Sequence, residues 1–204
     1  MALSEADAAR VEASLAASQR RTGGPIVCVL ARASSSYETI PLVWSILIGL
    51  AAPWPLLLFT QMSAERIFLI QLGVFLVALA ILSLTPLGVA LTPRSVQRAN
   101  AHRAALGQFM IRGLPRNPER NGVLIYVSLT EHYGRIIADE AAAAAIPQGE
   151  WQNVVNKMLA GIQRGAVADS LIAAGQNCAD LLAPRFPPRA ADAARQAHGH
   201  FHLI

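Results

Sequence analysis

The stretch TIPLVWSILIGLAAPWPLLLFTQMSA at residues 39–64, followed after Glu65 and Arg66 by IFLIQLGVFLVALAILSLTPLGVALTP at residues 67–93, decides how this chain is built. Neither run contains Asp, Glu, Lys or Arg. A helix crosses the roughly 30 Å hydrocarbon core of a bilayer with about 20 mostly apolar residues, so each run is long enough to span. The pair therefore reads as a transmembrane helical hairpin. Ala52-Pro53-Trp54-Pro55 predicts a kink in its first helix, because each proline removes a backbone donor and clashes with the preceding turn. With no ionisable residue inside either span, an anchor is expected rather than a path for ions.

The segments outside the hairpin are charged and amphipathic, which places the anchor inside a soluble α/β domain. The expected division is residues 1–38 and 94–188 for that domain, 39–93 for the hairpin and 189–204 for a C-terminal tail. Arginine placement sets the orientation. Arg20, Arg21 and Arg32 flank one side and Arg94, Arg98, Arg103 and Arg112 the other, against Arg66 alone in the connecting loop. By the positive-inside rule both termini are cytoplasmic. The opening residues are acidic and amphipathic, with no basic start followed by an apolar core, so no cleavable signal peptide is read there.

The chain's 53% hydrophobic content comes largely from the hairpin, and its net charge of +4 rests on 17 Lys and Arg against 13 Asp and Glu. Arginines at a membrane exit are explained by headgroups and topology, and no basic run interleaved with aromatics points to nucleic acid. Cys28 and Cys178 lie in apolar surroundings on the expected reducing side and read as buried thiols, not as a disulfide.

Working outward, Ser4 and Asp7 resemble a capping box that opens a helix with Ala8, Val11 and Leu15 on one face, stopping near Thr22-Gly23-Gly24. Residues 25–30 form a buried strand around IVCVL. After the hairpin, residues 94–112 predict a helix whose apolar face carries Val96, Ala99, Leu106 and Met110. Arg94, Arg98 and Arg112 fall on the opposite, basic face, which is expected along the headgroups. Pro115 and Pro118 mark a loop, and VLIYVSL and RII then suit a β-hairpin with Thr130, Glu131, His132 and Tyr133 between its strands. Two helices close the domain, one striped by Trp151, Val154, Val155, Met158, Leu159 and Ile162, the other by Val167, Leu171, Ala174, Cys178 and Leu181.

Sites for chemistry are sparse. There is no Gly-Lys-Ser/Thr phosphate loop, no Gly-x-Ser-x-Gly elbow, no Cys-x-x-Cys and no His-Glu-x-x-His helix. His198, His200 and His202 would share one face of an extended strand and could hold Zn²⁺, although weak patterning favours a loosely docked tail. Glu131 and His132 read as solvated turn residues. Asp139 reads as the cap of a strand-to-helix turn before the alanines at 141–145.

The opening LSEADAARVEASLAASQRRTGGPIVCVLAR, the segment RNPERNGVLIYVSLTEHYGRIIADEA and the closing helices at 151–182 resemble the three parts of a TPM domain, a small α/β/α sandwich. The most specific elements are Asn121-Gly122-Val123-Leu124-Ile125 and the strand end Ile136-Ile137-Ala138-Asp139. The resemblance is to a bacterial membrane-anchored branch with an inserted two-helix transmembrane hairpin. It implies acid phosphatase activity or calcium binding in some members, through acidic residues at loop ends of the sheet. The matching positions here are Asp139 and Glu140, while Arg120 stands where many members have an acidic residue before Asn-Gly. What it implies for this chain is a cytoplasmic interaction or scaffold module of the bacterial inner membrane, in envelope maintenance or membrane-complex assembly. The alternative is a metal-dependent acid phosphatase using a divalent cation. The partners it implies are the lipid bilayer, a LemA-like membrane protein and a second, exported TPM protein.

Overall fold

A computed structural model gives the fold and describes residues 3–32, 39–85, 93–189 and 200–204. Two compact units emerge: residues 1–34 with 98–204, and residues 35–97. The first is a mixed α/β domain built on a four-stranded sheet.

Helix α1 (Glu5–Gln19) opens on Ser4, whose Oγ accepts the Asp7 N–H at 3.1 Å and donates to Asp7 Oδ2 at 2.7 Å. That satisfies one of the donors a helix start leaves free. Val11 and Leu15 are fully buried one turn apart. The turn into strand β1 (Ile26–Ala31) is held by the buried side chain of Gln19, which donates to the Gly24 carbonyl at 3.0 Å and accepts the Ile26 N–H at 2.6 Å.

After residue 97 the domain resumes within α5 (Arg94–Ile111), which ends on Gly113 in the left-handed region at φ 68°. A short 3₁₀ turn, Leu114–Arg116, leads on to β2 (Val123–Ser128) and β3 (Tyr133–Ala138). Helices α6 (Glu140–Ala145), α7 (Gln148–Gln163) and α8 (Val167–Leu182) follow. The sheet order is β3-β2-β1-β4, with β2 and β3 antiparallel and β1 parallel to both β2 and β4. Because β1 pairs with β2 across the whole intervening hairpin, the N-terminal segment is an internal strand of the sheet.

Alternation along the strands gives the sheet two covered faces. Ile26, Cys28, Leu30, Val123, Ile125 and Val127 meet residues of α1, α7 and α8. On the other side Val29, Ala31, Leu124 and Tyr126 meet Ala105 and Phe109 of α5. The α/β/α sandwich is therefore present, but two expectations within it are corrected. The stripe Val96, Leu106 and Met110 of α5 is exposed, and the helix buries Ala101, Ala105 and Phe109 instead. The sheet supplies large side chains there, Val29, Leu124 and Tyr126, and the helix meets them with the small Ala105 and the single large Phe109. Arg94, Arg98 and Arg112 recur with those buried positions rather than on the face opposite the core. The C-terminal tail also contributes to the sheet: Phe201–Leu203 forms β4 at its edge.

In the second unit, α2 (Thr39–Ala51) and α3 (Pro53–Phe59) are separated at Ala52, where the prolines interrupt the ladder, and α4 (Ala64–Leu84) returns. Residues Pro41–Phe59 and Ala64–Leu84, 19 and 21 residues long, are long and apolar enough to cross a membrane. Gly49 lets Phe75 approach so closely that a Cβ there would lie 3.1 Å from the Phe75 Cβ. The outside of this unit is apolar: Phe59 is 84% and Leu84 85% exposed.

Candidate functional site

The polar residues singled out from sequence fall at three separate places on the sheet. Glu131 and His132 lie in the β2–β3 turn, next to the paired Ser128 and Tyr133. Asp139 and Glu140 follow the other end of β3, about 17 Å away along a strand rising roughly 3.4 Å per residue. His200 and His202 lie at β4, the opposite edge from β3 and about 14 Å across the sheet at roughly 4.8 Å per strand. His198 lies outside the described residues. These groups cannot converge on one reacting atom.

The Glu131 turn is stitched to the end of β1. Leu129 N–H and Thr130 N–H donate to the carbonyls of Ala31 and Arg32 at 3.0 Å each, the Thr130 hydroxyl donates to the Arg32 carbonyl at 2.6 Å, and Ser128 Oγ donates to Glu131. His132 adopts φ 49°, a turn conformation.

The Asp139 corner is the most elaborate polar arrangement of the domain. Asp139 is 4% exposed. Its backbone N–H donates to the Gly122 carbonyl at 2.8 Å, and its Oδ1 accepts the Glu140 N–H at 2.8 Å, capping α6 as Asp does at helix starts. Arg120 holds the left-handed region at φ 51°. Its carbonyl accepts the Ala141 N–H at 2.9 Å, its Nε lies 3.1 Å from Asp139 Oδ1 and its Nη2 lies 3.6 Å from Glu140 Oε2. Asp139 Oδ2 is buried with no hydrogen-bond partner among the described residues.

Beside this ion pair, sequence reading missed a network centred on Asn121. The Asn121 amide is fully buried, donates to Glu119 Oε2 at 3.2 Å and accepts from Asn117 Nδ2 at 2.5 Å. Glu119 in turn accepts from Arg189 at 2.6 Å. Gly24, from the loop entering β1, lies so close that a Cβ there would be 2.6 Å from the Asn121 carbonyl oxygen. The signal in the sequence is the coincidence of Gly23-Gly24 before β1 with Asn121-Gly122 before β2, two strands that start level with one another.

The corner does not fit a divalent cation. Ca²⁺ wants roughly 6–8 oxygens, and the guanidinium of Arg120 already lies against the one buried carboxylate. Glu140 is 81% exposed and ion-paired to the same arginine. Among the described residues no three His, Cys, Asp or Glu side chains are grouped to hold a metal. The two cysteines are buried as well. Burial, with the Glu12 charge nearby, pushes the Cys28 thiol up to about 12, and burial raises Cys178 too, so neither is a nucleophile.

Residues 87–181 match the family model for the TPM domain. Over those residues the chain is similar to the TPM domain family. That match starts after the hairpin and leaves out α1 and β1, which the sheet pairing nonetheless places inside the same fold. The fold is similar to the NMR structure of the BA42 protein from the psychrophilic bacterium Bizionia argentinensis. The TM-score is 0.60 at 13% identity, with 100% of this chain and 97% of that one covered. Among curated proteins none matches the chain.

Proposed function

We propose that this protein is a membrane-anchored TPM module that works by interaction, holding a partner at the cytoplasmic face of a bacterial inner membrane. The observation that carries the reading is the place of the hairpin. It leaves and re-enters the α/β domain between β1 and α5, and the sheet and both its cores are complete without it. Its own surface is apolar, an arrangement that costs free energy in water and none in lipid. The arginine bias supports a cytoplasmic side for both termini. Work in envelope maintenance or membrane-complex assembly, alongside a LemA-like protein and an exported TPM protein, is the role the family resemblance supports.

A metal-dependent phosphatase is the second reading. It has two points in its favour: the family model's label names a phosphatase, and Asp139 Oδ2 is a buried acceptor without a partner among the described residues. Calorimetry with Ca²⁺, Mg²⁺, Mn²⁺ and Zn²⁺, run beside phosphomonoester turnover, separates the two on wild type and Asp139→Asn. The interaction reading expects neither affinity nor turnover, with Asp139→Asn losing only stability. Micromolar metal affinity and turnover that both vanish in the variant would establish the phosphatase. Topology is tested separately: a cysteine at Ser63 should react with an impermeant thiol reagent on whole cells and one at Ser4 should not, and the reverse pattern would sink the cytoplasmic assignment.

A further inference from the structure

Among the described residues the outer face of α5 is exposed, and its composition is that of a surface helix turned inside out. Ala99, Arg103, Leu106 and Met110, spaced by four, three and four residues, run along the side opposite the buried Ala101, Ala105 and Phe109. Leu106 is 41%, Met110 64% and Ile111 73% exposed, and Gly107 faces open space. In a water-facing helix of a soluble domain these positions would be charged or polar.

We propose that this face of α5 lies on an anionic lipid surface, with Leu106, Met110 and Ile111 entering the headgroup boundary and Arg103 extending its guanidinium to phosphates. The proposal rests on the hairpin being a membrane anchor. Chain length supports it first. From Leu84, the end of α4, to Arg94, the start of α5, there are ten Cα steps, so α5 begins within roughly 34 Å of the end of the span. Charge supports it independently. Arg103 lies within the exposed stripe itself, and residues 67–118 contain no Asp or Glu, so no carboxylate of the segment that follows the anchor opposes an anionic surface. Arginines next to a span are drawn to anionic leaflets, and a long side chain amid an apolar stripe can bury its stem while its head reaches the interface.

The test uses the full-length protein in nanodiscs of phosphatidylcholine alone or mixed with phosphatidylglycerol. Met110→Cys and, as a reference on the exposed side of α7, Gln152→Cys are each reacted with a water-soluble maleimide. Both positions are exposed on the protein, so neither substitution threatens folding, and the native cysteines are buried. In phosphatidylglycerol discs the residue-110 thiol should react about ten-fold more slowly than the residue-152 thiol, and Arg103→Gln should remove most of that protection. Equal rates at the two positions would overturn the proposal. So would protection that is as strong in phosphatidylcholine and indifferent to Arg103, because a second copy or another protein would then be the cover. Protein recovered outside the discs would refute the anchor itself and this inference with it, whereas incorporation with a freely reactive residue 110 would overturn the α5 assignment alone.

Discussion

Among the described residues one face of the sheet is covered by three helices and the other by one, and the two are packed differently. Beneath α1, α7 and α8 the core interlocks large side chains: Leu15, Leu30, Ile125, Trp151, Met158, Leu171 and Leu182. Beneath α5 the contact is small, with Ala105 and Phe109 against Val29, Leu124 and Tyr126. Burial of apolar area stabilises at about 25 cal/mol per Å², so the three-helix face carries most of the domain's stability. The thin face leaves most of its helix outside, which frees that helix for another surface.

The largest expected effect comes from placing a charge on each side of the same strand. Cys28 points into the three-helix core and is fully buried, so Cys28→Asp buries an unpaired carboxylate and should cost about 4 kcal/mol or more. Val27, its neighbour, is half-buried on the α5 side, and Val27→Asp should cost roughly 1–3 kcal/mol. Denaturant unfolding of the detergent-solubilised protein, with proteolysis of α7 and α8 as readout, measures both. Equal costs would mean that the two faces are equally closed. Unchanged protection of α7 and α8 in Cys28→Asp would mean that β1 is an independent appendage.

The same contrast explains which parts were legible from sequence. Helices α7 and α8 each have a single strongly apolar stripe, and those stripes are the ones buried. Helix α5 carries two candidate faces, and the one richer in Val, Leu and Met is the exposed one. The buried face holds two alanines, which add little to any hydrophobic periodicity. Asp139 was legible as a cap because an Asp between a strand and an alanine helix is a local signal. The ion pair to Arg120 was less so, because it requires Arg120 in a left-handed conformation that sequence favours only for Gly, Asn or Asp. Strand β4 depends on residues nearly the whole chain away and left no local trace.

A substitution pair on α5 breaks or sharpens the reassigned faces directly. Ala105→Leu adds volume where the helix meets the sheet and should destabilise by about 1–3 kcal/mol. Leu106→Ala, on the outer side, should stay within about 0.5 kcal/mol in detergent. Should Leu106→Ala prove the costlier of the two by thermal or denaturant unfolding, the helix is turned the other way.

A smaller, local effect is expected where α1 meets the C-terminal strand. Glu12 accepts the His200 N–H at 2.9 Å and the Phe201 N–H at 2.5 Å, so one carboxylate satisfies two donors at the start of β4. Glu12→Ala should loosen β4 by about 1–2 kcal/mol without unfolding the three-helix core. Faster amide exchange confined to residues 200–204 is the expected record. Exchange that also rises across β1 would make β4 a structural part of the sheet rather than a docked edge.

The smallest effect belongs to His102, at the margin of the thin face. Burial, and secondarily the charge of Arg135 on β3, lowers its pKa below the ordinary 6.5, and its Nδ1 is buried without a hydrogen-bond partner among the described residues. The unfolded chain therefore takes up the proton first as pH falls. Stability that is fully present above about pH 6.5 is lost progressively as acidification passes through the depressed folded value, because the unfolded state binds more protons across that window. His102→Gln keeps the volume and polarity but cannot titrate. Unfolding midpoints compared at about pH 7.5 and about pH 5 should fall more for wild type than for His102→Gln, the difference being the part of the acid sensitivity that resides on the α5 face. Identical acid sensitivity in the two proteins would mean that α5 leaves His102 open to water, and that the thin face is thinner than Ala105 and Phe109 imply.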